Sequence, residues 1–277
     1  MTVQELELKS VEYRKKILKY IYQAGAGHTG GSLSCVDILN VLYNHVLNVS
    51  PETFKSPDRD RYIQSKGHCV EALFVVLADQ GFFPEEELFS LCKYQSHYIG
   101  HPTRKVNGVE QNTGALGHGL PISAGVAIAA KLDDKPYRVF TLLGDGELPE
   151  GSNWEAALTA AHYKLDNLCA IVDSNKLQIS GTTAEVCNTD PLDKKFESFG
   201  WAVREVDGNN VEQLKNIFAE LPFEPGKPSL IIAHTVKGKG ISFMENTLKW
   251  HHGVPSAAEY EAACQELESA EQLLLTK

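Results

Sequence analysis

Two stretches of this chain place oxygen ligands where an apolar strand hands over to a loop. Asp145 lies between Gly144 and Gly146 directly after the apolar run Val139 to Leu143, and Asn175 follows the apolar run Leu168 to Val172, 30 residues after Asp145. Glycines on both sides of an aspartate let the backbone turn tightly and approach a ligand closely. A carboxylate, an amide oxygen and a backbone carbonyl, completed by two phosphate oxygens and a water, make the near-octahedral oxygen shell that Mg²⁺ prefers. The expectation is therefore a diphosphate bridged to the protein by Mg²⁺. A Gly-Asp-Gly turn is common, and Asn and Asp often end strands, so neither piece carries this reading alone.

Such a site needs elements that hold its two ends together. After residue 110, the apolar runs Val139 to Leu143, Leu168 to Val172, Trp201 to Val206 and Leu230 to Ala233 alternate with stretches of helical pattern. Near-continuous apolar strands separated by helices predict a parallel sheet covered on both faces, an α/β fold whose ligands lie beyond the carboxyl ends of the strands. A helix starting near Ser152 would aim its free backbone amides at the same anion. The first third is mostly helical by its spacing of three and four, over residues 4 to 23, 33 to 47, 68 to 80 and 85 to 92. The tail from Ser256 to Leu275 predicts an amphipathic helix capped by Ser256 and Glu259 and packed on the surface of a single domain spanning residues 1 to 277.

Composition narrows the function. With 26 basic against 36 acidic residues and a net charge of −10, the chain lacks the clustered Lys and Arg of a phosphate-backbone binder. Six scattered cysteines without a CxxC pair suit a reducing cytosol, and no apolar run of membrane-spanning length occurs, so the expected location is cytoplasmic. His97 and His101 in HYIGH have no HExxH or third ligand at metal spacing, which argues against zinc, and KGKG at 237 to 240 lacks the GxxxxGK[ST] of a phosphate-binding P-loop. His28 and His68 sit in Gly-flanked loops, where an imidazole reaches a ligand rather than a core.

These segments together resemble the transketolase family, and the resemblance runs over almost the whole chain. GAGHTGGSLS (25 to 34), SKGHCVEALF (65 to 74) and YIGHP (98 to 102) resemble the family's three histidine elements. NTGALGHGL (112 to 120) resembles its glycine-rich turn over the cofactor, and TVKGKGISFMENTLKWHHG (235 to 253) its later lysine and histidine segment. The spacing from the Gly-Asp-Gly turn to Asn175 matches the thiamine diphosphate signature. The resemblance implies that Asp145, Asn175 and the carbonyl of Leu177 hold Mg²⁺, and that His68, Gly114, Ala115, Leu116, Gly146, Glu150, Asn175, Lys237 and His251 contact thiamine diphosphate. Read without the family, Glu150 is an ordinary exposed residue of a first helical turn; the resemblance makes it an acid that couples two cofactor sites across an interface. His28, His68, His101 and one of His251 or His252 would serve the substrate, with His251 preferred because it follows Trp250 at the family's spacing from Lys237.

The resemblance also implies a division of labour. The sequence ends at Lys277, where a full-length transketolase continues into a pyrimidine-binding domain. The expectation is the first subunit of a split transketolase, active with a C-terminal partner subunit in an assembly of two copies each, and moving a two-carbon ketol unit from a ketose phosphate to an aldose. A subunit of another thiamine diphosphate enzyme, a transketolase for a branched or sulfonated sugar, and a binding subunit without catalytic role are the alternatives.

Overall fold

The computed structural model describes residues 1 to 276. Its first third is helical, as the spacing predicts. Helix α1 (Val3–Ala24) opens on a capping box between Thr2 and Glu5. Helix α2 (Thr29–Val41) starts four residues before the predicted segment, running through Gly30 and Gly31, and ends in a π turn over Leu42–Val46. Strand β1 (Arg61–Gln64) follows; it is too short for a period-2 signal to show in the sequence. A 3-10 turn (Gly67–Cys69) then leads into α3 (Val70–Asp79). The predicted helix over 85 to 92 is instead a 3-10 turn, Glu85–Ser90, entered from Pro84.

From there strands and helices alternate: α4 (Gly119–Leu132), β2 (Val139–Gly144), α5 (Gly151–His162), β3 (Leu168–Ser174), a small hairpin of β4 (Leu177–Gln178) and β5 (Gly181–Thr182), α6 (Thr183–Cys187), α7 (Leu192–Ser198), β6 (Ala202–Asp207), α8 (Val211–Ala219), β7 (Ser229–His234) and α9 (Ala257–Leu275). The main sheet is fully parallel in the order β1-β2-β3-β7-β6. Successive strand residues point to opposite faces. Phe140, Leu142, Cys169, Ile171 and Ile231 join the core formed with α1, α2, α3 and α8, while Val139, Leu143, Ala170, Val172 and Ile232 pack with α4, α5 and α7. This double cover is why β2, β3 and β7 read as unbroken apolar runs. Strand β6 lies at the edge, so Arg204, Glu205 and Asp207 are exposed along it.

Helix α9 carries the predicted Ser256 and Glu259 capping box and buries Ala263 and Leu267 against α1. Among the described residues no helix is long and apolar enough to cross a membrane.

Candidate functional site

Parallel pairing aligns the ends of β2 and β3, with Gly144 opposite Asp173. The carboxyl end of β2 therefore delivers Asp145 to the place where β3 delivers Asn175. Asp145 is 3% exposed, and its carboxylate accepts the backbone N–H of Gly146 at 2.7 Å and of Lys176 at 2.5 Å. Burial, and then the neighbouring Asp173, push its carboxyl up to about 6. Both bonded partners are backbone amides, and among the described residues no cationic side chain forms an ion pair with it, the nearby charge of Lys66 only partly offsetting its burial. The amide oxygen of Asn175 accepts the N–H of Leu177 at 3.1 Å, and the carbonyl of Leu177 accepts from Lys237 Nζ at 3.0 Å. Among the described residues no three His, Cys, Asp or Glu side chains converge as a metal site. A cation here would be held by one carboxylate and neutral oxygens, the donor set that suits Mg²⁺ rather than zinc.

A deeper layer supports these residues, and the sequence offers no signal for it. Lys66, 2% exposed, forms a buried ion pair with Asp173. Asp173 also accepts from Ser34 Oγ at 2.6 Å, from Thr235 Oγ1, and from Asn175 Nδ2 at 3.4 Å. Asp173 thus braces the amide of Asn175 from below. Glu147 is buried as well, and joins the glycine-rich turn to the aspartate turn. Its carboxylate accepts from Gly117 N–H at 2.9 Å, Gly144 N–H at 3.0 Å and Ser65 Oγ. Gly114, at φ +141°, lies so close to His101 that a Cβ would meet the ring at 2.5 Å. Any side chain there would displace that imidazole.

Imidazoles from four segments gather above the carboxylate. His28 is the N-cap of α2, His68 lies in the 3-10 turn after β1, His101 in the loop before α4, and His251 and His252 follow the 3-10 turn Leu248–Trp250. From the His28 ring, the ring centres of His252, His68, His251 and His101 lie at 4.5, 5.1, 5.7 and 6.3 Å. His251 stacks on His68 at 5.5 Å, and its Nδ1 is 2.8 Å from Lys237 Nζ. Burial holds His28 down at about 4, helped by the surrounding imidazoles, and burial with Lys237 holds His251 at about 3. Burial and then Lys66 lower Lys237 to about 8. At neutral pH His28 and His251 are therefore uncharged, each with one ring N–H; the His28 ring keeps a free lone pair, whereas that on His251 Nδ1 accepts from Lys237.

Most of the predicted residues line one cleft with this geometry: His28, His68, Gly114, Leu116, Asp145, Gly146, Asn175, Leu177, Lys237 and His251. Ala115 is exposed beside it. Glu150 is also exposed; it is the N-cap of α5, one position before the first helical turn, and packs against Gly117. His252 is exposed on the His28 side, so the doubled histidine divides: His251 faces Lys237 and His252 faces His28. Ile179, an apolar side chain 74% exposed, stands at the mouth of the cleft.

The chain belongs to the transketolase family: the family model described as transketolase, thiamine diphosphate binding domain, matches residues 10–269. It is 48% identical, over 96% of its own length and 95% of the relative's, to a Phocaeicola vulgatus protein named as one subunit of an apulose-4-phosphate transketolase. It is 38% identical, over 97% of its own length and 98% of the relative's, to a Clostridium protein named as one subunit of a 6-deoxy-6-sulfo-D-fructose transketolase. The crystal structure of Campylobacter jejuni transketolase superposes with a TM-score of 0.90 at 27% identity, covering 99% of this chain and 46% of that one. The chain thus spans about half the length of that transketolase and nearly all of the relatives named as subunits.

Proposed function

We propose that this chain is the diphosphate-binding subunit of a split transketolase, transferring a two-carbon ketol unit from a ketose phosphate to an aldose once a pyrimidine-binding partner subunit is present. The observation that carries the reading is the convergence of five imidazoles beside a buried carboxylate, bonded to backbone amides, at the carboxyl ends of parallel strands. Mg²⁺ would be held by Asp145, Asn175 and the Leu177 carbonyl, and Lys237, which now bonds that carbonyl, would turn toward the diphosphate. His68, Gly114, Leu116, Gly146 and His251 would border thiamine diphosphate within the cleft, with Ala115 and Glu150 at its rim. The chemistry that cofactor supplies when bound is reversible cleavage of the ketose C2–C3 bond.

The chain's own residues manage protons around that event. Neutral His28, with His252 against it, takes on a free ring nitrogen the proton of the C3 hydroxyl as that carbon becomes an aldehyde. The same proton returns to the aldehyde oxygen of the acceptor when the new bond forms. His101 and His68 hold the remaining hydroxyls, and His251, tied to Lys237, stays on the cofactor side.

Partner dependence follows from the open mouth. The cleft exposes Ile179, and the reacting centre needs water excluded. The names of the relatives as subunits support a separate covering subunit, and an assembly of two copies each is the arrangement we infer from the family resemblance. The terminal anion in the names of the two subunit relatives, a phosphate and a sulfonate, makes an anionic ketose the donor class. The higher identity to the apulose-4-phosphate relative makes that sugar the first to test.

The test is ketol transfer by the chain with thiamine diphosphate and Mg²⁺, alone and after adding the product of the neighbouring gene, using apulose 4-phosphate and xylulose 5-phosphate as donors. Activity is expected only in the pair. Full activity of the isolated chain would overturn the split reading, and a cofactor-loaded pair that decarboxylates 2-oxoacids instead of transferring ketol units would overturn the reaction.

A further inference from the structure

Behind the imidazole cluster lies a buried acid that the proposed chemistry does not use. Glu71, in the first turn of α3, is 1% exposed, and no cationic side chain neutralises it among the described residues. Its Oε1 accepts the backbone N–H of His28 at 3.2 Å, and its Oε2 accepts Ser32 Oγ at 2.8 Å. These partners bracket the first turn of α2. His28 is the N-cap of that helix yet makes no side-chain capping bond, and α2 has no acid of its own in its first turn. Glu71 therefore does from α3 what a capping side chain would do locally, where the free amides and the helix dipole favour a negative group.

The approach is built for this contact. Gly27, at φ +154°, sits where a Cβ would meet Glu71 Oε1 at 2.8 Å and Ile21 Cγ1 at 2.6 Å, so only glycine lets the carboxylate reach the backbone of His28. His68 stands three residues before Glu71, in the turn that leads into α3. One carboxylate thus ties the loop that presents His28 to the segment that presents His68.

We propose that Glu71 is a positioning residue for the transfer reaction: by gripping the first turn of α2 it sets the His28 imidazole against His68 and His252. The inference rests on the preceding reading of His28 as a proton carrier. The groups facing Glu71 are His28 and Ser32 from α2, Cys69 from the turn before α3, and the Cys92 thiol from the following loop. Burial raises the Glu71 carboxyl to about 7, so the protonated acid begins to replace the carboxylate at neutral pH. A protonated carboxyl is a poorer acceptor for two donors at once, and the grip loosens as pH falls.

The test uses Glu71→Gln and Glu71→Ala in the full chain reconstituted with its partner. Glu71→Ala lowers kcat by roughly ten- to a hundred-fold, the scale of a misplaced catalytic group, while the cofactor Kd stays within about two-fold. Glu71→Gln, which keeps the amide oxygen as acceptor for His28 N–H, restores part of that loss. It also removes the fall in wild-type turnover as pH drops through about 7. A parallel measurement needs no turnover: the ring C–H resonances of His28, assigned with His28→Gln, shift in Glu71→Gln while those of the remote His162 do not. If the wild-type pair transfers no ketol unit, the function reading fails and the resonances alone decide the role of Glu71. Unchanged His28 resonances, wild-type kcat in Glu71→Ala, or a loss of cofactor affinity that matches the loss of kcat overturns the proposal.

Discussion

Asp173→Asn isolates what the buried ion pair beneath the site contributes. In the native chain burial works against the charge on Lys66, but the Asp173 carboxylate outweighs it and holds the ammonium well above its ordinary range. Asparagine keeps the shape and one acceptor oxygen, for either Ser34, which donates to Oδ2, or Thr235, which donates to Oδ1, and removes the charge. A buried lysine without a counter-charge falls to a pKa of roughly 5–6. Lys66 must then be neutral in the folded chain at pH 7, while in the unfolded chain it ionises at about 10.4, so the variant is destabilised by about 4.6 kcal/mol. That matches the cost of about 3–5 kcal/mol for breaking a buried pair, and lowers Tm by roughly 10 °C or more for a chain of this size.

The sign of the pH dependence separates this cause from lost packing. In the variant the folded-state pKa of Lys66 lies below the unfolded value, so between them the unfolded chain binds more protons and stability rises with pH. The deficit relative to the native chain shrinks by about 1.4 kcal/mol per pH unit from pH 7 toward pH 10. Urea unfolding of both proteins at pH 7, 8 and 9.5 measures it, with Lys66→Met/Asp173→Asn recovering much of the loss. A deficit that stays constant across that range, or one below about 1 kcal/mol, refutes the reasoning.

Two further outcomes bear on the cation and the histidines. Asp145→Asn loses Mg²⁺-dependent binding of thiamine diphosphate by calorimetry; because burial raises the Asp145 carboxyl to about 6, the native chain without ligands gains stability relative to the variant as pH falls from 7 toward 4, and unchanged cofactor affinity or parallel stability profiles over that range contradict the assignment. His28→Ala and His101→Ala reduce turnover with little change in cofactor affinity, whereas His251→Ala, which frees Lys237, weakens cofactor binding more than His252→Ala does; equal cofactor affinities in the two single variants count against the division of the doubled histidine.

The parts of this protein legible in its sequence are those whose cause is local. A strand buried on both faces must be apolar throughout, so β2, β3 and β7 are visible as runs, and the candidate ligands where such runs end follow from the geometry of any parallel sheet. The capping box of α9 spans four residues and is equally plain. Gly-flanked loops marked His28 and His68 as ligand-facing, and family resemblance brought in His101 and the doubled histidine. Lys66, Glu71 and Glu147 are different. In the sequence they are charged residues among others, with nothing to distinguish them from a solvated surface; the fold buries all three and supplies partners 107, 43 and 82 residues away. The two ends of the site were written in the chain, but their bracing was decided only by tertiary structure, because a buried charge is defined by the distant groups that satisfy it and not by its neighbours in sequence.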